Sequence, residues 1–311
     1  MRCVSLVLLC LAAACASRAP IESAPIESAP APVAVGPAVA LPCEWPVGTT
    51  VHYRYERRRL DSRRPGLEQV ASVSPAVLTV TAADRLSLDI GATELTGPPE
   101  LVETARAMLG GFDMPAMELV VKDGELIDVA NREALVSVIL SQVQAMLPPE
   151  TPPEAFESVK RLYADPQSAT QLLLKEPQTL LGTLCMAMGD NERIETRFES
   201  PGPMGGPTLQ SIVTIDATIR PEEGTATYTL STRTDPESLA ALLEHTLKTM
   251  VPADGAPLPQ MPTTDSSSVM VAVHSLSDGL PSFVDSTQTT VVGDNLARRE
   301  DRWIWTRVTA P

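Results

Sequence analysis

The chain has 311 residues, a formal net charge of -15 at pH 7 and a mean hydropathy of +0.03. A chain this acidic excludes nucleic acid as a partner, because affinity there rests on neutralising phosphates. No apolar stretch after the N-terminus approaches the 18 or so residues of a membrane span.

Met1-Arg2 opens onto an apolar run over residues 3–14, followed by Cys15-Ala16-Ser17. A short positive start, a brief apolar core and small residues at its exit make residues 1–16 a signal peptide. Two cleavage patterns compete. Ala12-Ala13-Ala14 before Cys15 resembles a lipobox, which makes Cys15 the lipidation site, whereas Ala14-Cys15-Ala16 fits simple secretion. Residues 17–42 are Pro/Ala/Ser-rich, with the repeat Pro20-Ile21-Glu22-Ser23-Ala24 and Pro25-Ile26-Glu27-Ser28-Ala29. Such a segment behaves as an extended spacer, here a tether between anchor and domain. Arg2 and Arg18 offset Glu22 and Glu27, so the excess acidity belongs to residues 43–311, read as a single domain. The expected location is the cell envelope, membrane-anchored and facing periplasm or exterior, with a secreted soluble form as the alternative.

Cysteine usage agrees with export. Cys3 and Cys10 belong to the signal, and the domain keeps Cys43 and Cys185, which are expected to pair as a disulfide in an oxidising compartment. The alternative is two buried thiols.

The domain reads as strands, helices, strands, one helix and strands. Residues 51–57 alternate, with Val51, Tyr53 and Tyr55 on the apolar face. Strands continue at 77–80 and 86–90, and a short helix follows Pro98-Pro99. Residues 117–121 and 126–129 flank Asp123-Gly124, a hairpin signal. Asn131 is expected to cap a helix carrying Leu135, Val138, Ile139, Val143 and Met146, with further helices opened by Pro152-Pro153 and across 172–188. Strands return at 193–198, 211–219 and 225–232. Asp235-Pro236 supplies an N-cap and a first-turn proline for a helix with Leu239, Leu242, Leu243, Leu247 and Met250 on one stripe. The last strands fall at 269–276, 283–292 and 296–308. Strand runs and helix runs are segregated, so the class is α+β with a mainly antiparallel sheet.

The sequence carries no catalytic signature: no G-x-S-x-G, P-loop, G-x-G-x-x-G or H-E-x-x-H occurs. His52, His245 and His274 lie on separate elements and read as structural, and Asp190-Asn191-Glu192 reads as a solvated turn rather than a calcium loop. A non-catalytic protein without cofactor or metal is expected. Arg54, Arg57, Arg58 and Arg59 lie near the first strand, and Arg298, Arg299 and Arg302 near the last. With Arg63, Arg64 and Arg307 they make ten of the twenty arginines. Were the terminal strands neighbours, these would form one basic patch for an anionic surface, against the plainer reading of edge protection and surface ion pairs. Ten methionines after the signal, against four phenylalanines, soften the apolar interior.

The run Val121-Lys122-Asp123-Gly124-Glu125-Leu126-Ile127-Asp128-Val129-Ala130-Asn131 leading into a helix, and the late Asp278-Gly279-Leu280-Pro281 hairpin, resemble exported bacterial lipoproteins of an uncharacterised family. At greater distance the layout is similar to the LolA/LppX half-barrel lipoprotein carriers. That resemblance implies a curved antiparallel sheet, a half-barrel wrapped around several helices, enclosing an apolar cavity for lipid. Strand and helix faces then nominate Tyr53, Tyr55, Leu135, Ile139, Trp303 and Trp305 as cavity residues. Three functions follow in order: a tethered monomeric carrier of lipid or another apolar ligand, a scaffold or protein-interaction lipoprotein of the cell envelope, and a hydrolase with no motif behind it.

Overall fold

A computed structural model describes residues 36–63, 66–109, 114–147, 153–200, 206–250, 264–293 and 297–310. The signal peptide, Cys15 and most of the expected tether lie outside the described residues, as does Arg64.

In chain order the strands are β1 (Ala38–Ala40), β2 (Thr50–Asp61), β3 (Ala71–Ala82), β4 (Arg85–Ile90) and β5 (Glu94–Thr96), then helix α1 (Pro99–Leu109). The hairpin β6 (Met117–Lys122) and β7 (Glu125–Val129) leads into α2 (Arg132–Met146), α3 (Pro153–Ala164) and α4 (Pro166–Leu181). Next come β8 (Ala187–Gly189), β9 (Arg193–Ser200), β10 (Leu209–Arg220), β11 (Thr225–Thr234) and α5 (Pro236–Met250). Three long strands finish the fold: β12 (Thr264–Ser275), β13 (Pro281–Val292) and β14 (Ala297–Val308).

Twelve of these strands form one sheet in the order β7-β6-β4-β3-β2-β14-β13-β12-β11-β10-β9, with β5 attached to β3. Every pairing is antiparallel. Register shifts within the β3–β4, β6–β7 and β12–β13 pairs insert bulges, which increase local twist and help the sheet curve. The protein is thus an α+β half-barrel: an open, curved antiparallel sheet with a few helices on it. The terminal strands meet at its centre, where Tyr55 of β2 lies opposite Trp305 of β14.

Helix α4 lies within this curve, packed against β7 and β13. Asp165 starts it by accepting hydrogen bonds from the Ser168 backbone N–H (2.8 Å) and hydroxyl (2.6 Å). Its buried Leu173, Leu174, Leu180 and Leu181 join Tyr53, Tyr55, Leu78, Leu88 and Trp305 in the main core. A disulfide between Cys43 and Cys185, with Cα atoms 4.9 Å apart, fastens the turn after α4 to the segment before β2. Gly124, at the hairpin tip, has φ of 80°, and a Cβ there would come within 2.6 Å of the Cys185 Cβ. The Asp-Gly pair thus serves both the turn and the close approach to the disulfide.

Three local expectations need correction. Asn131 does not cap α2 through its side chain; its amide bridges back to β6, donating to the Ala116 carbonyl at 2.7 Å and accepting from the Glu118 N–H at 3.0 Å. The segment read as helix over 172–188 breaks after Leu181 into a turn and β8. Finally, the end of the Pro/Ala/Ser-rich stretch is part of the folded body, since Ala38–Ala40 pairs with Ala187–Gly189 and Leu41 is buried.

Candidate functional site

The concave face of the sheet changes character along its width. On β2 and β14 the inward residues are Tyr53, Tyr55, Trp303 and Trp305, the last three no more than 5% exposed and Tyr53 1%. Tyr55 stacks on Trp305 at 4.1 Å between ring centroids, and the Trp305 indole N–H donates to the Thr179 hydroxyl of α4 at 2.9 Å. Burial pushes the Tyr53 and Tyr55 phenols up, so both stay neutral. The residues nominated for the cavity therefore fill the core: Leu135 is fully buried and Ile139 packs at its margin. Alternation placed the aromatics on the inner face, but α4 occupies the space in front of them.

Space remains further along the same face. A half-open cleft of about 170 Å³ lies between α4, the β6–β7 turn and strands β9 to β12. Its sheet wall carries apolar Val213, Ile215, Leu230 and Met270 beside the hydroxyls of Thr196, Ser211 and Thr232. Gln178, Leu181 and Gly182 of the α4 end face them, and Gly124 to Leu126 close one side. The floor beyond is hydroxyl-rich: Ser266, Ser286, Thr290 and Thr234 are buried side chains on the same inward rows. The cleft is thus amphipathic, with an apolar middle and a polar margin. Sequence reasoning missed it because its wall collects one to three residues from each of several strands, none forming a local motif.

The arginines follow the same alternation. Pairing of β2 with β14 puts Arg57 opposite Trp303 and Arg59 opposite Asp301. Arg57, Arg59 and Arg299 turn inward, while Arg54, Arg58, Arg298 and Arg302 turn outward. The expected single basic patch is thereby split between the two faces, since successive strand residues point to opposite sides. Outside, each arginine is matched by a carboxylate: Arg54 and Arg58 by Glu56, Arg298 by Glu300, and Arg302 by Asp285.

Inside, Asp301 is 3% exposed and accepts from Arg59 and Arg299, both at 2.7 Å, with Arg57 at 3.8 Å. Burial alone would raise its carboxyl, but the three guanidiniums outweigh that and hold it at about 2. Arg57 also donates to Glu176 of α4 at 3.0 Å and lies 5.8 Å from the Trp303 ring. Lys175 lies 5.1 Å from that ring, and burial lowers its ammonium to about 8.

His274 and the acidic turn singled out in the sequence have structural partners. His274 is fully buried, its Nδ1 donating to the Gly279 carbonyl at 2.9 Å and its Nε2 accepting from the Thr183 hydroxyl at 2.7 Å. It ties α4 to β12. Asp190 and Glu192 accept from the backbone N–H groups of Ile219 and Gly189. Among the described residues, no group of three or more His, Cys, Asp or Glu is placed to hold a metal ion, and no helix is long and apolar enough to cross a membrane.

No protein family model and no curated protein sequence matches the chain. A solved structure on lipid–protein interactions in lipovitellin aligns at 11% identity and a TM-score of 0.40, covering 86% of this chain and 26% of that one. The chain thus spans about a quarter of that protein's length. A structure from the de novo design of transmembrane β-barrels aligns at 4% identity and a TM-score of 0.16, covering 85% of this chain and 99% of the design. Likenesses this loose carry no function. The class defined here is an α+β half-barrel with an amphipathic cleft on its concave face.

Proposed function

We propose that this is a non-catalytic, exported protein, tethered to a membrane of the cell envelope through acylated Cys15, that holds one apolar chain of an amphiphile in its half-barrel cleft. The observation that carries the reading is the cleft itself. Apolar side chains, Val213, Ile215, Leu230 and Met270 among them, line it beside hydroxyls, which suits a molecule with an apolar and a polar end. Its volume of about 170 Å³ lies below the roughly 300 Å³ at which whole small-molecule sites begin, so it suits a single alkyl segment rather than an entire two-chain lipid. The unbranched Met270 adapts such a wall to varied chains. Export and tethering rest on residues 1–42 of the sequence.

Titration calorimetry of the purified protein with octanol tests the cleft. Binding is expected in the wild type and loss in Leu230→Trp, whose added volume fills the cleft, with circular dichroism confirming that the variant keeps its sheet. Absence of octanol binding in the wild type overturns the reading. Replacing Cys15 with Ser is expected to move the protein from the membrane to the aqueous fraction; a wild type already soluble and starting at Ser17 removes the tether.

A further inference from the structure

Among the described residues, the cations of this inner-face cluster outnumber the carboxylates beside them. Arg57, Arg59, Arg299 and Lys175 share Glu176 and Asp301, and the neighbouring Asp61–Arg63 pair leaves that balance unchanged. Asp301 is already contacted by three arginines, whereas Lys175 makes no ion pair among the described residues. Against it lies Trp303, whose buried indole N–H has no hydrogen-bond partner. A buried donor without an acceptor is uncommon and costs free energy, and a surplus of half-buried positive charge is equally unfavourable without a counter-charge. One acceptor-rich anion answers both.

The cluster also adjoins the cleft. Lys175 stands three residues before Gln178, which lines the cleft, so the two share a helix face. Across the sheet, cleft residue Met270 pairs with Ser286 and Ser286 with Trp303. Two strand spacings separate Met270 from Trp303, about 10 Å. The cluster stays reachable, because Arg57, Arg59 and Glu176 are about one-third exposed.

We infer that Lys175, Arg57 and the Trp303 indole N–H seat the anionic headgroup of the amphiphile whose chain enters the cleft. This rests on the cleft reading and narrows its ligand to amphiphiles ending in a carboxylate or phosphate. Surplus positive charge selects the anion, the Trp303 N–H adds a directed hydrogen bond, and the hydroxyl floor spans the distance to the chain.

The test compares octanol, octanoate and octyl phosphate by titration calorimetry on the purified wild type, Lys175→Met and Trp303→Phe. Both anions are expected to bind the wild type about tenfold tighter than octanol, as charge-assisted hydrogen bonds allow. Added salt and a rise from pH 7 to 9 should shrink that margin, the second because Lys175 loses its proton near 8 under burial and the repulsion of Arg57 and Arg299, against the attraction of Asp301 and Glu176. Lys175→Met should abolish the margin and Trp303→Phe reduce it, with octanol affinity unchanged in both. The ratio of octanoate to octyl phosphate tells a carboxylate from a phosphate head. Equal affinity for all three ligands in the wild type overturns the headgroup seat and leaves the cleft standing. Binding of the anions without octanol overturns the cleft and keeps the seat, and failure of all three overturns both.

Discussion

The two halves of the concave face belong to one sheet yet are finished differently. Across β2 and β14 the inward row carries four large aromatics and α4 presses leucines into them, leaving Tyr53, Trp303 and Trp305 2% exposed or less. Across β9 to β12 the inward rows around the cleft mix the hydroxyls of Thr196, Ser211 and Thr232 with Phe198, Val213, Ile215, Leu230 and Met270, and a cleft of about 170 Å³ persists. Alternation alone tells which side of a strand faces in. Side-chain volume and the position of the covering helix then decide whether that side becomes solid or hollow.

The largest expected contrast follows from that difference. Trp305→Ala removes a fully buried ring stacked on Tyr55 and hydrogen-bonded to Thr179, and is expected to destabilise by about 3–5 kcal/mol in chemical denaturation. Thr232→Ala, on the cleft wall, should stay within about 0.5 kcal/mol. Comparable losses would mean that both halves are packed alike.

Asp301 sharpens the boundary between the halves. Asp301→Asn leaves three arginines around a buried neutral group and is expected to cost about 3 kcal/mol. The sign with pH follows from a folded carboxyl held at about 2, below its ordinary value of 3.8. Its contribution is complete above about pH 4 and is lost as pH falls towards 2. Urea midpoints between pH 5 and 2.5 should fall more steeply in the wild type than in Asp301→Asn; parallel slopes would refute the ion cluster.

How much of this was legible in the sequence depended on the range of the signal. The hairpin at Asp123-Gly124 and the cap at Asp235, whose side chain accepts from the Ser238 N–H at 2.8 Å, are local and were read directly. So were the inward faces of β2 and β14, because period-two alternation needs only neighbours. The disulfide followed from there being just two domain cysteines. The cavity was placed at the wrong end because nothing in the tyrosines and tryptophans records that α4 lies over them. The arginines formed a block along the chain, yet the pleat divides that block between two faces. Cleft residues such as Ser211 and Leu230 acquire meaning only once the register of β9 to β12 brings them together.

The disulfide lies behind the β6–β7 turn. Cys43 and Cys185 are 142 residues apart in sequence, and replacing either with Ser is expected to cost about 2–4 kcal/mol in thermal or chemical unfolding. Cys185 also backs Gly124, whose turn walls the cleft, so the same variants should weaken octanol binding. Lower stability with unchanged binding would show that the hairpin holds its place without the bridge.

The smallest expected effect is the most discriminating. Val213 faces the cleft from β10, and Val213→Ile adds one methylene to its wall while keeping a β-branched residue suited to a strand. If space has been kept there for a ligand, the added group finds room without strain, and cavity filling should stabilise the free protein by about 0.5–2 kcal/mol. For a domain of this size that is a rise of only a few degrees in Tm. Octanol affinity should fall at the same time, because the methylene occupies volume the chain would use. The two changes run in opposite directions, as expected where a protein gives up packing for binding. Higher stability with full affinity would mark the cleft as a packing fault unrelated to binding. Lower stability would mean that the wall is already at interior density, where an extra methylene forces strain.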